Sequence, residues 1–283
     1  MPVASESIVR FCAEQSTGFL RSLMLETGHA MRSGGIEAVH DLRVSIRRFR
    51  QVLKVFKPWI PREESRLLRS EMKDIMAHAG DVRDRDIAIA LLRKIHAPGN
   101  RRIAAEIHEK RVAPAHALQA CLRDFRRRGS PAAWRRALKL QKAADPPPAK
   151  DAAGRILPRM LKDYLRHGAR AARQEASPKQ LHRFRIATKE IRYTLDLFAP
   201  LYGDAIVELA GKLRKIQNHL GAIHDCAATA ALIEDTKIAG QKEILSAIDK
   251  RRKEKTDRFL RDYHREFEDE DTIRKWKKAL RHP

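Results

Sequence analysis

Aromatic side chains are scarce: Phe, Trp and Tyr together make up 6% of the 283 residues. A protein that grips single-stranded nucleic acid by stacking bases needs aromatic platforms, and none is evident in this sequence. Cysteine is scarcer still, limited to Cys12, Cys121 and Cys226. Their odd number and spacing fit no disulfide framework and no zinc or redox motif, which points to a reducing compartment. No apolar run approaches the roughly eighteen residues that span a bilayer, so membrane insertion is not expected. The opening stretch MPVASESIVRFCAEQ has no long apolar segment behind a basic start, so a secretory leader is not expected either. Alternating β-branched runs are nearly absent. The expected product is a soluble cytoplasmic protein.

What is abundant is positive charge. Lys and Arg number 59 against 36 acidic residues, a net +23. Such a surface attracts polyanions: nucleic acid, polyphosphate or an anionic membrane face. Apolar residues reach 43%, enough for a core. Between the few Gly and Pro positions the chain is rich in Ala, Leu, Arg, Lys and Glu, which predicts an all-α fold.

The breakers predict helices over about 7–32, 36–56, 63–79 and from Arg83 or Asp84 to 96, then 100–127 with a kink or break at Pro114, and a short one over 131–141. The prolines of ADPPPAK, 144–150, forbid helix and mark a linker between a first half, 1–143, and a second half, 151–283. Further helices are expected over about 152–176, continuous or interrupted at Pro158, from Ser177 as cap and Pro178 in the first turn to the residue before Pro200, then over 202–220, 225–236 and 241–268. The tail TIRKWKKALRHP reads as a short basic amphipathic helix or a frayed end, solvated or touching an anionic surface or acidic partner. Gly80 and Gly221 read as helix ends, and Asp84 and Asp225 as caps or braces for a neighbouring Arg.

The chain repeats itself. Leu181 to Pro200 matches Val39 to Pro58 at an offset of 142: His40 meets His182, Arg43 meets Arg185, Arg47 meets Lys189 and Arg50 meets Arg192. A second block, MKDIMAHAGDVRDRDIA, meets LRKIQNHLGAIHDCAAT at an offset of 141, pairing Lys73 with Arg214, His78 with His219, Gly80 with Gly221 and Asp84 with Asp225. The order and spacing predict two similar halves, each a bundle of about four helices.

A spacing of three and four residues keeps side chains on one helix face. His40, Arg43, Arg47, Arg50 and Lys54 follow it, as do His182, Arg185, Lys189 and Arg192. Leu42, Ile46, Phe49, Leu53 and Phe56 run beside the first row and form the stripe to be buried. No carboxylate interrupts either row, although like charges at this spacing repel. That uncompensated charge calls for a bound anion, and arginine suits bidentate capture of phosphate oxygens. Downstream, Arg66, Arg69 and Lys73 step the same way, as do Lys212, Lys215 and His219; Arg214 enters through its match to Lys73. These are either further phosphate ligands or a solvated basic face. The two histidines either contact phosphate or set the helix start.

The patterns HDLRVSIRRFR and HRFRIATKEIR, followed by HAGDVRDRDIA and HLGAIHDCAAT, resemble the CHAD domain family, the conserved histidine α-helical domain, over nearly the whole chain. The resemblance implies two four-helix bundles about a pseudo-twofold, with a basic central groove or pore. It implies non-catalytic binding of inorganic polyphosphate, association with polyphosphate granules and their proteins, and no cofactor or metal. The implied ligands are His40, Arg43, Arg47 and Arg50, with His182, Arg185, Lys189 and Arg192. Arg48 becomes Glu190 and Lys54 becomes Asp196, so the first half is expected to be the more basic.

Two other readings were weighed. An HD-type phosphohydrolase would hold metal through His40-Asp41 or His224-Asp225, but Asp41 meets Arg183 and His224 meets Arg83, so neither pair survives in both copies. RNA or DNA binding fits the net charge but lacks a stacking platform or recognition helix; weak nucleic-acid binding is nevertheless expected.

Overall fold

The computed structural model describes residues 6–128, 134, 138, 145–173, 175–234 and 239–283, apart from the side chain of Ala205. Ten α-helices lie among them: α1 (Ile8–Ser33), α2 (Ile36–Val55), α3 (Arg62–Leu92), α4 (Asn100–Glu109), α5 (Val112–Arg127), α6 (Ala149–Ala171), α7 (Pro178–Tyr202), α8 (Val207–Glu234), α9 (Gln241–Phe267) and α10 (Glu270–Arg281). The fold is all-α; among the described residues the one β feature is an isolated bridge between Ser7 and Pro148. The short helix expected over 131–141 lies outside the described residues, Trp134 and Leu138 excepted.

Local chemistry accounts for several boundaries. Ser177 and Gln180 form a reciprocal capping box that opens α7, with Pro178 in its first turn. Asp269 caps α10 by accepting from the Thr272 N–H at 2.9 Å. The proline stretch is not free chain: the Pro147 carbonyl accepts the Ile8 N–H at 2.9 Å, and Ala149 N–H donates to the Glu6 carbonyl at 2.8 Å. Gly99 and Gly240 have φ of +81° and +90°, and a Cβ on Gly99 would lie 2.5 Å from the Ala239 carbonyl oxygen. Glycine is required there by both conformation and space.

Four expectations are corrected. Gly80 and Gly221 end no helix: α3 and α8 run straight through them, and neither glycine has positive φ. Asp84 and Asp225 therefore sit in mid-helix and cap nothing. The reason is burial: Leu68, Met72, Ile75, Ala79 and Val82 form one unbroken buried stripe through Gly80. That burial outweighs the roughly 1 kcal/mol cost of an interior glycine. Pro200 does not stop α7 either; it sits on the exposed side of the last turns, where Leu201 and Tyr202 are buried and Gly203, with φ +54°, ends the helix. The kink or break expected at Pro114 within 100–127 is a break, and it comes earlier. The helix breaks at Lys110-Arg111, and Pro114 falls in the first turn of α5.

Two compact units emerge, each built from several stretches of chain. The His182 unit comprises 1–15, 142–223 and 254–283; the His40 unit comprises 16–141 and 224–253. In the His182 unit, Tyr164, Phe184, Phe259, Tyr263 and Phe267 make an aromatic core. In the tail, Trp276 and Leu280 are buried, and the Tyr202 hydroxyl donates to the Leu280 carbonyl at 2.7 Å. The tail is thus a docked amphipathic helix. In the His40 unit, Ala88, Leu92, Ile103, Ile107, Cys226, Ile233, Ile244 and Ile248 share one apolar cluster.

The repeat reaches further than the two motifs. Buried Ile8, Phe11, Cys12, Leu20, Leu23 and Ala30 of α1 match buried Ala149, Ala152, Ala153, Leu161, Tyr164 and Ala171 of α6 at an offset of 141. Ile103, Ile107, Leu118 and Leu122 match Ile244, Ile248, Phe259 and Tyr263 at the same offset, so α9 is the unbroken counterpart of α4 plus α5.

Candidate polyanion-binding faces

In the His40 unit, α2 buries Val39, Leu42, Ile46, Phe49 and Leu53 and carries its basic row beside them. Exposure grows along the row: His40, Arg43 and Arg47 are half-buried, whereas Arg50 and Lys54 are exposed. Arg43 Nη1 donates to the Met76 carbonyl of α3 at 3.3 Å. A Cβ on Gly80 would lie 3.0 Å from that same nitrogen, so Gly80 is a notch that seats the Arg43 guanidinium. Arg69 Nη2 donates to the Leu53 carbonyl at 2.5 Å, satisfying one of the orphan carbonyls at the end of α2. Its Nε is buried with no hydrogen-bond partner among the described residues. Burial first, and the neighbouring charge of Arg50 second, lower the Arg69 pKa.

Beside Arg69 a cavity of about 690 Å³ is lined by Lys57, Arg62, Arg66 and Ser65 among others. Arg66 leans on Glu63 at 3.5 Å, both strongly exposed, an ion pair worth little. Lys73 is exposed on α3. His40 lies in cationic surroundings: burial, then Arg83, with a smaller push from Arg47, hold its pKa below the ordinary 6.5, against the opposing pull of Asp41 and Glu37. It is neutral near pH 7 in the free protein.

Arg83 is the functional candidate that sequence reasoning missed. Taking Gly80 as a helix end concealed it. With α3 continuous, Arg69, Lys73, Met76, Gly80 and Arg83 step by four, three, four and three residues, on one face toward α2.

The His182 unit is built differently. On α7, His182 is exposed, Arg185 and Lys189 are half-buried and Arg192 is buried. Arg192 Nε donates to Gln217 Oε1 of α8 at 2.7 Å, lies 3.6 Å from Asp196 and stacks 4.6 Å above the Tyr193 ring. It ties α7 to α8. On α8, Lys212, Lys215 and His219 meet carboxylates of α9. Lys215 pairs with Asp262 at 3.0 Å, His219 with Asp262 at 2.7 Å, and Lys212 with Glu266 at 3.3 Å and Glu208 at 2.9 Å. Burial pushes the Asp262 carboxyl up, but hydrogen bonds from Lys215 and His219 outweigh it and leave the pKa lowered. Arg214 points elsewhere and is exposed. The structure therefore brings Lys212, Lys215 and His219 together around internal acids and leaves Arg214 apart from them.

Among the described residues no group of three or more His, Cys, Asp or Glu is placed to hold a metal ion, and no helix is long and apolar enough to cross a membrane. His224 and Asp225 touch at 3.6 Å without a third ligand.

Fold and faces together define a class: an all-helical internal repeat whose repeated rows are cationic. The CHAD domain model matches residues 19–234, and the chain belongs to that family. Among solved structures it is similar to a CHAD domain from the plant Ricinus communis, with a TM-score of 0.71 and 23% identity over 99% of this chain and 94% of that one. It is also similar to PptA from Streptomyces chartreusis, with a TM-score of 0.58 and 16% identity over 97% and 99%. At these identities the likeness is one of fold. No curated protein matches the chain.

Proposed function

We propose that this protein is a non-catalytic binder of inorganic polyphosphate, acting in the cytoplasm at polyphosphate granules. The observation that carries the reading is the α2–α3 face, where Arg43, Arg47, Arg50, Lys54, Arg69, Lys73 and Arg83 form a cationic strip headed by His40. Membership of the CHAD family supports the same reading. Polyphosphate presents about one charge per phosphate and no base to be read, so a row of guanidinium groups suffices to grip it. In the first half the ligands are His40, Arg43, Arg47, Arg50, Lys54, Arg66, Arg69 and Lys73; in the second, His182, Arg185, Lys189, Arg192, Lys212, Arg214, Lys215 and His219. The paired state of Lys212, Lys215 and His219 makes them the weakest of these, because phosphate must displace Asp262 and Glu266 to reach them.

Competition tests the choice of polyanion. Bound polyphosphate should resist displacement by an equal concentration of RNA phosphate. Ready displacement by RNA would replace this reading with nucleic-acid binding. A chelator-treated sample should bind equally well.

A further inference from the structure

The outer face of α6 carries a second row of cations that belongs to neither repeated motif. Arg155, Arg159, Lys162, Arg166 and Arg170 step by four, three, four and four residues. At 100° per residue they fall within about 80° of arc, over a length of roughly 22 Å. All five are exposed. Arg166 pairs with Asp163 at 2.8 Å, and the other four have no ion pair among the described residues. The exposed Asp151 sits in the first turn, where a carboxylate suits the helix dipole.

Several exposed cations elsewhere in this molecule do have local acids. Arg127 and Arg128 share Asp124, Arg252 and Lys253 share Asp249, and Arg265 holds Asp262 and Glu266. Four of the five cations in the α6 row lack that relief. Nor is the row a product of the repeat: at the offset of 141 that aligns the buried residues of α1 and α6, its counterparts are Glu14, Gly18, Arg21, Leu25 and His29. The row also lies about 160° around the helix from Tyr164, which packs on Phe184 of α7 with ring centroids 4.9 Å apart. It therefore faces away from α7.

We propose that this face of α6 is a second polyphosphate track, separate from the α7 row, so that one protein molecule holds two chains and cross-links them. The inference rests on the function proposed above. Polyphosphate is favoured over nucleic acid because the one aromatic of α6, Tyr164, is buried and no stacking platform accompanies the row. A membrane surface is disfavoured because Leu157, Leu161 and Tyr164 are turned into the core, which removes the apolar face that interfacial helices insert.

The test compares wild type with Arg155→Gln/Arg159→Gln/Lys162→Gln/Arg170→Gln, in which glutamine keeps helix propensity and removes charge. Calorimetry with a short polyphosphate about 22 Å long reads stoichiometry, and light scattering with long-chain polyphosphate reads cross-linking. The variant should bind one chain fewer per protein and scatter at least tenfold less, while a version with Lys at the three arginine positions should behave as wild type. Footprinting of the wild-type protein adds a measurement independent of any variant: long-chain polyphosphate should protect Lys162 from acetylation. Equal stoichiometry and scattering in wild type and variant, or an unprotected Lys162, overturns the second track and leaves the proposed function standing. A wild type that binds no polyphosphate overturns both. RNA filling the α6 track in preference to polyphosphate overturns the ligand class.

Discussion

Burial and positive neighbours hold the His40 pKa down, yet in the proposed function it heads a row that binds an anion. Bound phosphate would reverse that balance by offsetting Arg83 and Arg47, so binding should take up a proton. The sign follows: the free-state pKa lies below 6.5, and a bound phosphate's charge should raise the bound-state value above it. Affinity should therefore rise as pH falls through this range, and His40→Gln should flatten that part of the profile. Calorimetry in buffers of different ionisation enthalpy would detect the proton; buffer-independent heats would refute the linkage. Without ligand the same depressed pKa has the opposite consequence. Protonation favours the unfolded chain, so His40 subtracts stability once the pH drops below its unfolded value.

The two repeated glycines make a paired residue-scale test. Each lies within a helix, where Gly→Ala ordinarily stabilises by about 0.5–1 kcal/mol. Around Gly221 a Cβ meets nothing within 4 Å, so Gly221→Ala should raise the melting temperature and leave binding alone. A Cβ on Gly80 meets the Arg43 guanidinium, so Gly80→Ala should weaken polyphosphate binding severalfold while the helical signal is kept. Equal binding by both variants would remove the notch from the account.

Among elements, the join between α3 and α5 depends on charge. Asp86, with 2% of its side chain exposed, accepts from Arg111 Nε at 2.5 Å, and Arg111 Nη2 also reaches the Gly34 carbonyl at 3.3 Å. Asp86→Ala leaves a largely buried guanidinium without its partner and should cost about 3 kcal/mol in denaturant unfolding. A loss below about 1 kcal/mol would mean that water or a new partner replaces the carboxylate. Element boundaries also mark how far the sequence could be read. Ser177-Pro178 opened α7 as expected, because a cap is a local interaction among neighbours. Gly80, Gly221 and Pro200 misled because their local cost is overridden by buried stripes that are visible only once the helices are packed. The basic rows on α2 and α7 were legible as spacings. The docking of Arg192 on Gln217 and of α8 on the acids of α9 was not, since nothing local to those segments records which helix comes alongside.

For the whole molecule, symmetry in sequence has become asymmetry in charge. Matched positions in the two halves hold Lys54 and Asp196, or an exposed Arg50 and a buried Arg192. The His40 unit leaves Arg50, Lys54 and Lys73 exposed on its α2–α3 face, whereas the His182 unit spends several cations on its own carboxylates. Alanine substitution of Arg43 and Arg47 should therefore weaken binding more than the same change at Arg185 and Lys189. The most direct measurement is the affinity for long-chain polyphosphate across a salt series, for wild type and for the Arg43→Ala/Arg47→Ala/Arg185→Ala/Lys189→Ala protein. The account predicts tight, salt-sensitive binding by wild type, and a large loss of affinity with a shallower salt slope in the variant, roughly one unit per phosphate contact removed, at unchanged helix content. An unchanged affinity and slope in a folded variant would contradict it.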